Sequence, residues 1–168
     1  LRQDDLHLDY NETVPDRAVI VYSNWVRKHF KESKIVIGGT EASLRRFTHY
    51  DYWDNKLRKP ILLDSRADIL VYGSAEKQIL EIAKRIDAGK ALDDIDGTCV
   101  LSKKMPAGFV ELPSHEEVVD SKERFCDMQM LLTNWKNLAQ KIGEGAAAKY
   151  VLQYKSPKYT SKDIDEYY

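Results

Sequence analysis

Two short stretches decide the fold: Lys34-Ile35-Val36-Ile37-Gly38-Gly39 and Asp68-Ile69-Leu70-Val71-Tyr72-Gly73. Each is an apolar, mostly aliphatic run without alternation, the pattern of a strand buried on both faces. Each ends in glycine, where the chain can turn sharply or admit another backbone or a ligand. Upstream, Pro15-Asp16-Arg17 supplies a helix start. Ala18, Val19, Val21, Tyr22, Trp25, Val26 and Phe30 then recur at helical spacing, with Arg27, Lys28 and Lys31 outside. Between the two runs, 61–67 carries a short helix. After the second, Ser74 is placed to cap a helix with Glu76 in its first turn. That helix extends to about Asp87, with Ile79, Leu80, Ile82, Ala83 and Ile86 on one face and Gly89 ending it. Helix, buried strand, glycine turn, buried strand, glycine turn, helix is the rhythm of an α/β fold. The expected architecture is part of a doubly wound, Rossmann-like parallel sheet with flanking helices and right-handed crossovers.

Further along, Thr98–Ser102 continues as a strand, and 109–112 is a weaker strand expected to form an edge hairpin with it. A second section opens at Pro113. Ser114-His115-Glu116-Glu117 is an N-terminal capping signature. The helix is expected to run to about Ile142 with one break, its apolar stripe being Phe125, Met128, Leu131, Leu132, Trp135, Leu138 and Ile142. Gly143-Glu144-Gly145 ends it, 148–154 is a strand, and Ser161-Lys162-Asp163 opens a last helix. The expected division is 1–112 as part of an N-terminal α/β domain and 113–168 as a helical C-terminal extension, a linker leading towards a domain outside the chain. Residues 1–15 are expected to be a loop or arm.

The 168 residues amount to one domain. Lys plus Arg is 26 against 27 Asp plus Glu, so no polycationic surface recommends a nucleic-acid partner. Cys99 and Cys126 stand far apart, with neither zinc spacing nor a disulfide framework, which points to a reducing compartment. No signal peptide opens the chain and no apolar run approaches the ~20 residues that cross a bilayer. The expected location is cytoplasmic, without a membrane. The chain starts without methionine and reads as part of a longer protein.

Gly38-Gly39-Thr40-Glu41-Ala42-Ser43 follows a buried strand, at the sheet edge where open α/β folds bind ligands. It is neither a dinucleotide fingerprint nor a P-loop, and chain geometry explains its glycines better than a ligand does. Arg45-Arg46-Phe47-Thr48-His49-Tyr50-Asp51-Tyr52-Trp53-Asp54 is the most unusual stretch. Paired arginines can clamp a carboxylate or phosphate. His49 with Asp51 could transfer a proton. Arginine beside aromatic rings also suits docking, which is the favoured reading: a polar network that holds this loop against the rest of a larger protein. The candidate ligand or interface set is Gly38, Gly39, Glu41, Arg45, Arg46, His49, Tyr50, Asp51, Tyr52 and Trp53. Lys56, Arg58 and Lys59 with Asp64, Arg66 and Asp68 read as a solvated charged face. His7, His115 and the cysteines lack metal-ligand spacing, and no nucleophile elbow or Cys–His pair is visible. No residue is expected to be catalytic or to bind metal.

The block Ile35-Val36-Ile37-Gly38-Gly39-Thr40-Glu41-Ala42-Ser43-Leu44-Arg45-Arg46-Phe47-Thr48-His49-Tyr50-Asp51-Tyr52-Trp53-Asp54, with Ile61-Leu62-Leu63-Asp64-Ser65-Arg66-Ala67-Asp68, closely resembles the N-terminal region of the YgiQ-type radical SAM protein family. The likeness is dense over 35–76 and thinner across most of the remaining chain. It implies a cobalamin-binding-like α/β domain ahead of a radical SAM barrel. It also implies a 4Fe-4S cluster and S-adenosylmethionine in the full-length iron–sulfur oxidoreductase. The family's C-x3-C-x2-C motif is absent from this chain, as is a cobalamin-ligating D-x-H-x-x-G. The resemblance therefore implies an accessory domain that shapes or caps the active site, has the protein's own radical SAM domain as its partner, and binds neither cofactor itself. The substrate is unknown. The alternative is a stand-alone cobalamin-binding-like module for a ligand or protein. A weaker one is single-stranded RNA binding through the arginine and aromatic loop, against which the neutral charge speaks.

Overall fold

The computed structural model describes residues 15–133 and 136–167, without the side chains of 164 and 167. The expected arm over 1–14, His7 and Trp135 lie outside the described residues. In chain order the elements are α1 (Ala18–His29), β1 (Val36–Ile37), α2 (Gly39–Leu44), β2 (His49–Asp51), β3 (Lys56–Arg58), α3 (Ile61–Ser65) and β4 (Ile69–Val71). Then come α4 (Glu76–Asp87), β5 (Thr98–Ser102), β6 (Val110–Leu112), α5 (His115–Asp120), α6 (Lys122–Leu132), β7 (Leu138–Ile142), β8 (Lys149–Gln153) and α7 (Ser161–Tyr167). Six strands form one sheet in the order β1-β4-β5-β8-β7-β6, and β2 and β3 form a separate hairpin. The chain is an α/β protein with helices on both faces of its sheet.

Strand alternation sorts the core into two layers. Ile37, Leu70, Cys99, Leu138, Ile142 and Val151 face one layer with Ala42, Phe47, Ile61, Leu62, Val118 and Met128 from α2, α3, α5, α6 and the loop before β2. Ile69, Val71, Val100, Ala139 and Leu152 face the other, where α4 gives Ile82 and the loop after it gives Ile95.

The sheet is mixed, with parallel pairs at its two ends. β1 pairs parallel with β4 and β6 with β7, whereas β4–β5, β5–β8 and β7–β8 are antiparallel. The reason lies in 88–97. After α4 has carried the chain back down beside β4, this loop climbs again. Arg85 holds it through the carbonyls of Ala91 (3.4 Å) and Asp93 (2.5 Å), and Ile95 anchors it in the core at 4% exposure. Gly97 thus arrives beside Tyr72, whose N–H donates to its carbonyl at 3.0 Å, and β5 can only run downwards.

The helix expected to reach Ile142 ends at Leu132, and Leu138–Ile142 is a strand. Leu138 and Ile142 are four apart and fit either period. Gln140 between them, fully buried, disguised a strand face formed by alternate residues. The break within the helical section occurs at Ser121, whose extended backbone separates α5 from α6 and whose Oγ accepts from the Arg124 N–H at 3.3 Å. The Ser114–Glu117 capping box forms, with bonds of 3.2 and 2.8 Å. Ser74 caps nothing: Ala75 is the N-cap of α4, without a side-chain bond. The 109–112 strand lies at an edge but pairs with β7 instead of β5, because β8 takes the place beside β5.

Candidate functional site

The 38–54 segment leaves the C-terminal end of β1. Gly38 is extended, and a Cβ there would sit 3.3 Å from the Val71 carbonyl oxygen, so the turn packs directly on the end of β4. Gly39 adopts φ +81°, a conformation that side chains disfavour, and starts α2. The two glycines therefore meet a geometric demand.

From α2, Glu41 accepts from Arg45 Nη1 (2.9 Å) and from the Val19 N–H (3.4 Å), which places a carboxylate at the first turn of α1. Arg45 also lies over the Trp53 ring at 5.4 Å, and Trp53 stacks on Tyr52 with centroids 4.2 Å apart. Arg46 turns inward. Its Nε donates to Gln153 Oε1 at 2.6 Å, its Nη1 donates to the Ser43 carbonyl, and its guanidinium lies 5.1 Å from the Tyr72 ring. The paired arginines thus point to different partners and form no clamp.

His49 and Asp51, two apart on β2, make no hydrogen bond with each other. His49 Nδ1 donates to the Phe47 carbonyl (3.1 Å), and burial holds the imidazole below its usual pKa. Asp51 is fully buried. Burial would raise its pKa, but the Arg17 guanidinium at 2.8 Å and the N–H groups of Trp53 and Asp54 outweigh it and hold the carboxyl below its usual range. Around it, Arg17 reaches Asp54 (2.9 Å), and Arg58 reaches Asp54 (3.0 Å), Asp64 (3.1 Å) and, at 3.9 Å, Asp51 itself. Part of the supposed solvated charge run is therefore the frame of a buried carboxylate. Tyr50 and Tyr52 are exposed, and Tyr50 donates its hydroxyl to Asn55 at 2.6 Å.

Sequence reasoning missed the centre of this region, a polar knot between Thr48, His115 and Gln140, all at most 9% exposed. Gln140 Nε2 donates to the Pro113 carbonyl at 3.0 Å, which fixes the amide and turns Oε1 to Thr48. That oxygen accepts from the Thr48 N–H (2.9 Å) and hydroxyl (3.0 Å). With its proton spent there, the hydroxyl accepts at 2.9 Å from His115 Nδ1, so His115 carries its proton on Nδ1. The partners stand 67 and 92 residues apart, beyond any local pattern. A Gln amid an apolar strand run was the one available signal.

Two grooves flank this knot. One, of about 390 Å³, lies between Leu44, Arg46 and His49 and the α6 residues Phe125, Gln129 and Leu132. The other, of about 300 Å³, lies between Leu57 of the hairpin and Val118, Val119 and Lys122. Tyr50 and Phe125 line both, so the grooves lie side by side along α6. Elsewhere, the C-terminal end of β4 is covered by the chain itself. Tyr72 donates its hydroxyl to the Tyr154 carbonyl, Gly97 N–H donates to the Lys155 carbonyl (2.7 Å), and the Tyr159 hydroxyl lies within hydrogen-bond distance of the Ser74 carbonyl (3.2 Å) and Gln78 Oε1 (3.1 Å).

The residues do not fit an iron–sulfur cluster. Cys99 is fully buried and its thiol is pushed up to about 12, which keeps it protonated, while Cys126 stands exposed on α6. Among the described residues, no three His, Cys, Asp or Glu side chains gather as metal ligands, and no helix is long and apolar enough to cross a membrane.

No solved structure matches the chain. A "UPF0313 protein" of Methanocaldococcus jannaschii is 48% identical over 92% of this chain and 26% of its own length. One of Fusobacterium nucleatum is 44% identical over 94% of the chain and 29% of its own length, and one of Clostridium perfringens is 49% identical over 76% and 20%. The chain thus spans about a quarter of the curated relatives it matches. A family model described as radical SAM N-terminal matches residues 1–168, and the chain belongs to that family.

Proposed function

We propose that this chain is the accessory N-terminal domain of a longer radical SAM iron–sulfur protein, and that the adjacent grooves along α6 dock on the catalytic remainder and cap its active site. The 4Fe-4S cluster and S-adenosylmethionine would belong to that remainder, which supplies the radical chemistry. This domain supplies a rigid wall that excludes water. One observation carries the reading: the charged side chains of 45–54 are spent on internal partners, while Leu44 (72% exposed), Tyr50 (54%) and Val119 (49%) are left facing outward along the two grooves. Exposed aromatic and aliphatic groups on a rigid base are the anatomy of a docking surface. The covered end of β4 favours docking over a ligand in the usual α/β crevice.

The test places Leu44→Asp and Tyr50→Asp together in the full-length protein. Both side chains are exposed, so folding should survive. The expected result is a large loss of anaerobic S-adenosylmethionine cleavage at unchanged melting temperature. Unchanged cleavage would sink the capping role.

A further inference from the structure

We infer that α1 carries a second docking surface, an aromatic stripe with a basic rim, and that its occupant is an acidic, apolar segment of the same longer polypeptide, outside this chain. The inference rests on the reading of the chain as one domain of a longer protein, but it concerns a different surface from the grooves along α6.

The helix sits on the domain the wrong way round for a simple amphipathic helix. Towards the core it sends Val19 and Ile20, but also Ser23, Asn24 and Arg27, and the last two find partners there. Asn24 Nδ2 donates to the carbonyls of Ile20 (2.8 Å) and Asp64 (2.9 Å). Arg27 pairs with Asp68 at 2.6 Å and donates to the Arg66 carbonyl at 3.1 Å. Outward go Tyr22 (48% exposed), Trp25 (58%) and Val26 (39%), spaced i, i+3 and i+4 on one face, and Phe30 (63%) follows directly after the helix. Tyr22 and Trp25 already pack together, with centroids 5.5 Å apart. The face offered to solvent is thus the more apolar of the two. Scattered apolar residues on a surface need no explanation, but a contiguous helical stripe built of Trp, Tyr and Phe does.

The identity of the occupant follows from length and charge. About three quarters of each matched relative lies beyond the part this chain matches, ample material for a covering segment. Lys28 and Lys31, exposed beside the stripe, make no ion pair among the described residues. They would meet carboxylates flanking an apolar face, which gives register and orientation to the contact.

Hydroxyl-radical footprinting, read by mass spectrometry on the 168-residue chain and on the full-length protein, tests this without altering the stripe. The expected result is a severalfold drop in oxidation of Tyr22, Trp25 and Phe30 in the full-length protein. Lys28→Glu with Lys31→Glu should return it towards the isolated-chain level. Three results would overturn the proposal: equal oxidation in both proteins; protection of the isolated chain that grows with its concentration, which would assign the stripe to a second copy; or protection of the isolated chain that vanishes on deleting residues 1–14, which would assign it to the chain's own arm. Protection that ignores the lysine reversals would remove the acidic partner. Loss of protection at α1 with capping intact at α6 would sink this inference alone, and the reverse would sink only the capping role.

Discussion

The two faces of the sheet are built on different terms. One is crowded: α1, α2, α3, α5, α6 and the β2–β3 hairpin cover it, and a polar knot lies inside its apolar layer. The other is thin, covered by α4 and the loop after it, with an apolar cluster in which α4 seals Ile82, next to the one polar side chain it buries, Gln78. Ile79 and Leu80 on the same helix stay 47% and 57% exposed. The difference separates two ways of fixing a segment. Apolar burial on the thin face is forgiving of position. The knot is not, because each buried donor needs its one acceptor. The face that presents the proposed docking surface is the one held by direction-specific bonds, which suits a wall that must keep its shape.

Gln140→Leu should break the contrast most. It leaves the Thr48 N–H and the Pro113 carbonyl buried without partners and takes away the acceptor of the Thr48 hydroxyl, which keeps only His115, a loss of about 4 kcal/mol in urea unfolding. If it costs less than about 1 kcal/mol, the knot is incidental. Ile82→Ala on the thin face should cost about 3 kcal/mol by loss of burial alone. Amide exchange should then quicken in α4 while β2 and α3 keep their protection. Next comes Arg17→Ala, which leaves buried Asp51 with Arg58 at 3.9 Å; about 2 kcal/mol is expected, and Arg58→Ala should cost less.

The pH dependence should also belong to the crowded face. Burial holds both His49 and His115 below their usual pKa, so both stay neutral when folded while the unfolded chain takes up protons. Stability should be full above pH ~6.5 and fall as pH drops below it, by at most ~1.4 kcal/mol per unit for each histidine, until the folded forms titrate. His49→Asn, whose amide can still donate to the Phe47 carbonyl, should shallow that slope. A slope unchanged in this variant would show that His49 is not held neutral. The smallest effect is expected at Arg124, exposed between Glu117 and Asp127 on α5 and α6: Arg124→Ala should leave the urea midpoint almost unchanged, because solvent screens exposed ion pairs.

What the sequence made legible follows the same division. β1, β4, β5, β8 and most helices announced themselves through local periodicity and punctuation, as did the capping box at Ser114. The direction of β5 was not legible, because it depends on where Arg85 and Ile95 steer the intervening loop. β7 was lost because Gln140 looks like an interruption until its partners Thr48 and Pro113 are known. In the candidate set, Gly38 packs against the Val71 carbonyl and Gly39 takes φ +81°, a demand that the double glycine after an apolar run already suggests. The relation of Arg45 to Arg46 and of His49 to Asp51 could not be seen. Neighbours in sequence turn to Trp53, Gln153, the Phe47 carbonyl and Arg17 instead, and only folding decides those partners.

The central claim is that the grooves along α6 are a docking face for the remainder of a longer protein. Hydrogen–deuterium exchange on the 168-residue chain and on the full-length protein tests it most directly. Peptides covering 44–57 and 118–133 should exchange markedly more slowly in the full-length protein. Equal exchange of those peptides in both would contradict the account.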